Sequence, residues 1–297
     1  IPTLFTKGLY ETHPPLYYVI LHFWIELFGV SELAIRSLSV FFNLITIIVV
    51  FRIGCLLYNS QTGLLASLLV GFSAFNIEYS QEARNYSMVV LFSTLSFLYF
   101  IKLLKTYNHR DAVFYCIFSS LLVYTHIVAA FVMICTQNIF ILLPLLVPRM
   151  GFSIKILRWL LLQFIILLIF SPWVANLAFK KSLMANLVSW IPSPGFATLM
   201  NNLLTYSGSI AFLICSSLII PFSVLYYQKI TGKFRISDPF NTLEKFSWQV
   251  SIHHTEVFFL LFLWAFIPML LLFVISKVVQ PIYLIKVTIG ASIGYYI

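Results

Sequence analysis

The sequence predicts an all-α protein, a polytopic bundle of transmembrane helices, and three features of its composition support that prediction. Of its 297 residues, 61% are apolar and only 9% are charged, whereas a soluble domain normally carries about 25% charged residues. The mean hydropathy is +0.99. The apolar runs are also longer than a soluble core requires, because a helix that crosses a bilayer needs about 20 apolar residues. These features exclude an ordinary soluble enzyme, a disordered chain and a disulfide-stapled secreted module.

Long apolar runs mark the segments that we expect to cross the membrane. They cover residues 37–57, 63–74, 86–104, 112–147, 159–179, 203–227, 257–276 and 283–297. The run over 112–147 has 36 residues, which is too long for one span and suits two short ones. We therefore expect a turn at Tyr124-Thr125-His126, near its midpoint. With that turn, the chain contains about eight complete spans and one that is cut.

The basic residues support this division and predict the sidedness of the bundle. One set of loops holds 11 of the 18 Lys and Arg residues. The positive-inside rule predicts that these loops lie on the cytoplasmic side. The set comprises residues 58–62, 102–111, 148–158 and 228–256, with adjoining Arg52. The longest of these, 228–256, is predicted to be a cytoplasmic loop. We therefore interpret the net charge of +9 as a topology signal and expect no nucleic-acid partner.

The acidic residues show a second asymmetry between the two sides. Both aspartates, Asp111 and Asp238, fall on the predicted cytoplasmic side. The glutamates of the predicted outer side are Glu11, Glu26, Glu32, Glu78 and Glu82. Because the outer loops are short, polar residues gathered there are expected to line a site rather than to solubilise a loop.

Residues 13–29 are predicted to form a helix that lies along the outer membrane interface. The segment opens with two prolines, which can begin a helix but cannot continue one. At 17 residues it is short for a span, so we expect Tyr17, Tyr18 and Trp24 at headgroup level.

The four cysteines all fall in apolar runs, without a CxxC pair or a Cys/His cluster of metal-binding spacing. They are Cys55, Cys116, Cys135 and Cys215. We interpret them as small packing residues.

The segment over 10–18, YETHPPLYY, is the first candidate for chemistry. Glu11 and His13 stand two residues apart before a rigid Pro-Pro pair, which gives a fixed acid–base or phosphate-binding corner. The Glu11 carboxylate is also a candidate ligand for a divalent metal ion. The alternative is an ordinary interfacial helix start that is capped by Thr12.

The segment over 79–86, YSQEARNY, is the second candidate, because so short a loop does not need this much polarity. Arg84 is costly at the edge of the bilayer without a partner, and its planar guanidinium matches phosphate oxygens. The alternative is a solvated turn with an internal Glu–Arg pair. The candidate binding residues of this segment are Gln81, Glu82, Arg84 and Tyr86.

Three further positions are weaker candidates. His126 lies at the predicted outer turn, where it is either a structural histidine or a ligand. Trp190, in the segment 190–195, either anchors a loop or stacks on a sugar ring. Lys286, near the outer end of the last run, either completes a lipid-phosphate site or extends its amine to the interface.

Several of these motifs resemble those of one enzyme family. HPPLYY, then WIELFGVSELAIRSLS, YSQEARNYSM, YTH, WIPSPG and PIYLIK occur in this order along nearly the whole chain. The sequence is similar to GT-C-type membrane glycosyltransferases of the protein O-mannosyltransferase and aminoarabinose-transferase superfamily, which is glycosyltransferase family 39-like. That resemblance implies a polyprenyl-phosphate sugar donor of the dolichyl or undecaprenyl type. It also implies transfer, with inversion, to a lipid, glycan or protein acceptor on the periplasmic or luminal side.

The resemblance also implies roles for individual residues, with departures from the family pattern. Arg84 and Lys286 would neutralise the donor phosphate, and His13 would contact the phosphate or the sugar. Glu11 stands where relatives carry Asp, and Lys286 where they carry Arg. The acid that follows the first transmembrane helix in such enzymes has no counterpart here. We therefore expect one transmembrane domain, 1–297, that is truncated at both ends and inactive in this form unless Glu11 substitutes for the missing base.

Two other classes fit parts of the pattern. A transporter or lipid flippase would show the same spans, but its polar residues would lie nearer the midplane of broken helices. A catalytically inactive accessory subunit would also fit. We expect a multi-pass protein of a bacterial inner membrane, with its active site facing the periplasm. The sequence does not identify a cofactor.

Overall fold

The computed structural model describes residues 14–145, 154–179, 190–217 and 254–297. Within those ranges the regular structure is entirely helical, with no strand, which confirms the predicted fold class. The principal helices are α1 (Leu16–Phe28), α2 (Glu32–Leu57), α3 (Ser60–Phe72), α4 (Ala74–Gln81), α5 (Tyr86–Lys105), α6 (His109–Thr125), α7 (Ile127–Leu142), α8 (Ile156–Phe179), α9 (Phe196–Ser207), α10 (His254–Val278) and α11 (Ile289–Tyr296). A 3₁₀ helix, Ile285–Thr288, leads directly into α11.

Four helices among the described residues are long and apolar enough to cross a membrane. They are α2, α5, the part of α8 over Ile156–Val174 and the part of α10 over Glu256–Val278. A fifth results if α3 and α4, which meet at an angle of 55°, form one broken span. The chain is therefore an integral membrane protein, and the predicted total of about eight spans stays a prediction.

The long apolar run at 112–147 folds as two helices, as predicted. Helix α6 ends at Thr125 and α7 begins at Ile127, with His126 between them. The Tyr115 hydroxyl donates to Gln137 Oε1 at 2.7 Å. These residues lie eleven positions before and eleven positions after His126. The two helices therefore run antiparallel, with the turn at His126.

Helix α5 is the buried centre of the bundle, packed by α2, α6 and α11. Its Phe97 ring stacks on Trp264 of α10 at 3.9 Å between centroids. The Trp264 indole N–H in turn donates to the Gly290 carbonyl at 3.0 Å. Gly290 allows α11 to approach α5 closely, because a Cβ atom there would lie 2.5 Å from Ser93 Oγ. The last apolar segment is thereby held against the central helix.

Two groups of loops lie at opposite ends of α5. At its C-terminal end, the Lys105 ammonium donates to the Leu56 carbonyl, which brings together the turns after α2 and after α5. At its N-terminal end, Asn85 Nδ2 donates to the Thr125 carbonyl at 3.0 Å. We call the second end the N-terminal face of α5. This grouping of loops agrees with the division that the basic residues predicted.

Two boundaries differ from the sequence-based expectation. The run over 203–227 begins inside α9, and that helix ends at Gly208, whose positive φ of 72° provides the left-handed residue that commonly terminates a helix. The final residues of the predicted loop 228–256 are helical, since α10 begins at His254. The rest of that loop lies outside the described residues. Tyr17 is 1% exposed and packs against the protein, and its predicted position at headgroup level stays a prediction.

Candidate active site

The loop after α4 is fixed by hydrogen bonds to three other helices. The Arg84 backbone N–H donates to the Glu82 carbonyl at 2.8 Å and closes a three-residue turn. Ser39 of α2 donates its hydroxyl to the same carbonyl at 2.7 Å. Asn85 directly precedes α5, but its side chain does not cap this helix, because its amide donates to the Thr125 carbonyl at the end of α6. Ser87 also donates to the Tyr79 carbonyl at 3.0 Å. The loop that carries Arg84 is therefore held in place from α2, α5 and α6.

An open cleft of about 400 Å³ lies at this loop. We call it the arginine cleft, and its lining residues are Arg36, Glu78, Gln81, Glu82, Ala83 and Arg84. Three of the four residues that were predicted from the second motif, Gln81, Glu82 and Arg84, therefore face one space. Arg36 was not identified from sequence, because it lies 48 residues earlier and forms part of no polar cluster.

The charges of the arginine cleft are only partly paired. Arg36 forms an ion pair with Glu32 at 2.5 Å. Among the described residues, no carboxylate lies within ion-pair distance of the exposed Arg84 guanidinium. The internal Glu–Arg pair of the alternative interpretation is thus not formed there. Glu82 Oε2 is buried and has no hydrogen-bond partner among the residues that the structure describes. The cleft therefore offers an unpaired cation beside carboxylate oxygens that can accept hydrogen bonds.

The start of α1 adjoins the same loop. Tyr17 is buried and its hydroxyl faces Ser39, the residue that holds the Glu82 carbonyl. Glu11 and His13 lie outside the described residues, so their predicted roles stay predictions. Pro14, directly after His13, is buried one helical turn before Tyr17. The HPPLYY motif and the Arg84 loop thus converge, although 66 residues separate Tyr17 from Ala83.

Lys286 joins the site from the other end of the chain. Its ammonium group lies 5.4 Å from the centroid of the Tyr86 ring, a cation–π contact. Tyr86 is the buried first residue of α5, two positions after Arg84. The Tyr79 ring packs edge-on against Tyr86 at 5.2 Å. Lys286, the candidate residue of the final segment, therefore lies next to the second motif. Tyr79 packs against the same tyrosine ring.

A second open cleft, of about 390 Å³, adjoins the first and shares Glu78 with it. Its remaining lining residues are Ala74, Phe75, Asn201, Leu204, Thr205 and Gly208. Helix α4 thus separates two clefts, and α9 forms the far wall of the second.

The remaining candidates have different surroundings. His126 is buried, and its Nδ1 accepts a hydrogen bond from the Ala129 backbone N–H at 3.3 Å, which caps α7. Trp190 is 65% exposed. The substrate-binding roles of both stay predictions. In the described ranges no three His, Cys, Asp or Glu residues cluster so that they could hold a metal ion.

Comparison with known proteins gives one match. No curated protein and no solved structure matches the chain. The family model described as dolichyl-phosphate-mannose-protein mannosyltransferase matches residues 12–175. This range contains the HPPLYY motif, the Arg84 loop and the turn at His126, but neither Trp190 nor Lys286. Since the match covers more than half of its residues, the chain belongs to the dolichyl-phosphate-mannose-protein mannosyltransferase family.

Proposed function

We propose that this chain binds the phosphate of a polyprenyl-phosphate-linked sugar at Arg84 and Lys286, and transfers the sugar to an acceptor on the extracytoplasmic side. Its family comprises membrane glycosyltransferases that use polyprenyl-phosphate sugar donors in general. The observation that carries the proposal is the unpaired Arg84 guanidinium, which is held by a rigid loop and faces a cleft with carboxylate walls.

The charges of this site suit a sugar phosphate. A guanidinium can bind two phosphate oxygens at once, and an ammonium group adds a compact second charge. The oxygens of Glu78 and Glu82 accept hydrogen bonds, which the hydroxyl groups of a sugar can donate. A purely anionic ligand would be repelled by these carboxylates, whereas a phosphate that carries a polyhydroxyl group finds a partner for each part.

The lipid portion of the donor can approach from the bilayer. Helix α1 exposes Phe23, Leu27 and Phe28 on its surface, and its first turn adjoins the Arg84 loop. An isoprenoid chain would lie against such apolar side chains while its phosphate remains at the membrane face. This arrangement supports a donor that enters sideways from the membrane.

The proposed reaction is a single displacement at the anomeric carbon. The acceptor hydroxyl oxygen forms a bond to that carbon while the bond from carbon to the phosphate oxygen breaks. The bonding electron pair leaves with the phosphate, and the acceptor proton passes to a carboxylate base. Arg84 and Lys286 stabilise the negative charge that develops on the leaving phosphate. We assign Glu11 to orient the acceptor and His13 to contact the phosphate or the sugar.

The side of the membrane is also part of this proposal. The basic loop at residues 102–111, with Lys102, Lys105 and Arg110, lies at the end opposite to the arginine cleft. By the positive-inside rule, the cleft then faces away from the cytoplasm. A bacterial inner membrane, with the cleft on the periplasmic side, is the location that we propose.

Arg84→Ala tests the phosphate assignment in the full-length enzyme in membranes, with a polyprenyl-phosphate-linked sugar as donor. We expect kcat/KM for the donor to fall by about 100-fold, as for the loss of an electrostatic contact to a transition state. Arg84→Lys should retain an intermediate activity, because it keeps the charge without the two-pronged geometry. Arg110→Ala is the control, since this exposed arginine lies at the opposite end of α5. Full activity of Arg84→Ala would overturn the assignment.

A further inference from the structure

We propose that Asn202 is a positioning residue that fixes Lys286 at the phosphate site, an inference that rests on the proposed function of Lys286. Asn202 is 0% exposed in α9 and lies outside the range that the family model matches. Its amide nitrogen has two hydrogens. One is donated to the Tyr283 hydroxyl at 2.6 Å and the other to Thr288 Oγ1 at 3.0 Å. A single side chain therefore holds both ends of the six-residue segment that contains Lys286.

This segment needs such support because none of its residues is α-helical. Residues 281–284 have no regular structure, and the 3₁₀ turn that follows them is short. Short 3₁₀ helices have poorer hydrogen-bond geometry than α-helices. The position of the Lys286 backbone is thus set mainly by tertiary contacts.

A second hydrogen bond from α9 strengthens the same attachment. Tyr206, one turn after Asn202, is buried and donates its hydroxyl to the Thr288 carbonyl at 2.7 Å. The Tyr296 hydroxyl donates to the Tyr206 carbonyl at 2.7 Å and lies 2.7 Å from Ser73 Oγ. Ser73 is the junction of α3 and α4. The hydrogen bonds around Asn202 therefore continue to the helix that leads into the arginine cleft.

The contacts around Lys286 show how a shift of this segment would reach the substrate. Its ammonium group is placed over Tyr86 by the path of the 283–288 backbone. Loss of the two Asn202 bonds leaves two buried hydroxyl groups with fewer partners, so the segment is expected to rearrange. A displacement of about 1 Å in a binding group can cost as much as 100-fold in rate. Asn202 thus acts on the donor through Lys286 and touches no reacting atom.

The test compares Asn202→Ala with Lys286→Ala and with the double variant in the full-length enzyme. We expect Asn202→Ala to raise the KM for the polyprenyl-phosphate-linked donor about tenfold, with a smaller change in kcat. Asn202→Leu should behave similarly, because its side chain can neither donate to nor accept from the Tyr283 and Thr288 hydroxyl groups. In the Lys286→Ala background, Asn202→Ala should add little to the donor KM, since residues that act as one unit are not additive.

Asn138→Ala is the matched control for a purely structural effect. The Asn138 side chain accepts a hydrogen bond from the Trp159 indole at 2.8 Å and donates one to the Ile134 carbonyl at 3.0 Å, and neither partner belongs to the Lys286 segment. Both asparagine variants should lower thermal stability in detergent, but only Asn202→Ala should raise the donor KM. An equal rise in KM for Asn138→Ala would show a general structural effect and overturn the inference.

The outcomes separate this inference from the proposed function. If Lys286→Ala leaves the donor KM unchanged, the assignment of Lys286 to the phosphate is wrong, and the role of Asn202 fails with it. If Lys286→Ala raises the KM but Asn202→Ala does not, only the positioning role is overturned. A full additional effect of Asn202→Ala in the Lys286→Ala background would also overturn it, because Asn202 would then act by another route.

Discussion

The Lys286 ammonium group lies 5.4 Å from the centroid of the Tyr86 ring, although the two residues are 200 positions apart in the chain. This contact joins the two segments that carry the candidate phosphate-binding cations. Tyr86 directly follows the Arg84 loop, and Lys286 directly precedes the final helix of the described chain. The contact thus places the C-terminal segment next to the region that the family model matches.

Substitution of Tyr86 tests whether its ring holds Lys286. Tyr86→Leu removes the aromatic face, and we expect the donor KM to rise about threefold, because a cation–π contact of a partly exposed ammonium group contributes about 0.5–1 kcal/mol. Tyr86→Phe keeps the face and should preserve the KM. The measurement is donor-dependence of transfer in membranes. If Tyr86→Phe raised the donor KM as much as Tyr86→Leu, the effect would come from the hydroxyl group and not from the aromatic ring.

The sequence predicted the features that depend on local composition. The turn at His126 follows from a polar triplet in the middle of an apolar run too long for one span. The polar loop around Arg84 was identified for a similar reason, since it carries more polarity than its length requires. Both are properties of contiguous residues. The helices on either side of His126 confirm the turn, and the Arg84 loop lines an open cleft, whose role stays a prediction.

Other features could not be predicted, because they depend on which distant residues meet. Ser39 carries no signal in its own surroundings, yet it holds the Glu82 carbonyl. Tyr17 and Tyr18 are adjacent aromatics, and composition alone does not tell which one faces the protein; only Tyr17 is buried. These are tertiary facts without a local pattern.

Tyr115→Phe should destabilise the bundle without affecting the site. The Tyr115 hydroxyl donates to Gln137 Oε1 and accepts from Gln163 Nε2 at 3.1 Å, so its removal leaves two amides underbonded. We expect a loss of about 0.6–1.7 kcal/mol, the range measured for hydrogen bonds within membranes. Unfolding in detergent measures it. Tyr99→Phe is the control, since its ring stacking on Phe114 and Phe118 is retained.

A similar loss for Tyr99→Phe would show that the effect does not arise from the hydrogen-bonded amides. A large change in donor KM for Tyr115→Phe would contradict the separation between this buried cluster and the arginine cleft.

Close packing of α2 against α3 predicts a strong effect for Gly63→Ala. A Cβ atom at Gly63 would lie 2.6 Å from the Phe51 carbonyl oxygen and 2.9 Å from Cys55 Sγ. The two helices would have to separate, at a cost of about 1–3 kcal/mol. Gly71→Ala in the same helix is the control, because its Cβ would make an ordinary 3.5 Å contact with Ile47. Thermal unfolding in detergent distinguishes them, and equal stability of both variants would contradict the packing argument.

The proposed sidedness of the arginine cleft is tested by labelling single cysteines. Ala83 lines the cleft and His109 begins α6 at the opposite end of the bundle, and both are exposed. In a background without the four native cysteines, Ala83→Cys should react with a membrane-impermeant maleimide added to intact cells. His109→Cys should react only after the membrane is permeabilised. The reverse labelling pattern would place the cleft on the cytoplasmic side of the membrane. It would then rule out sugar transfer at the outer face.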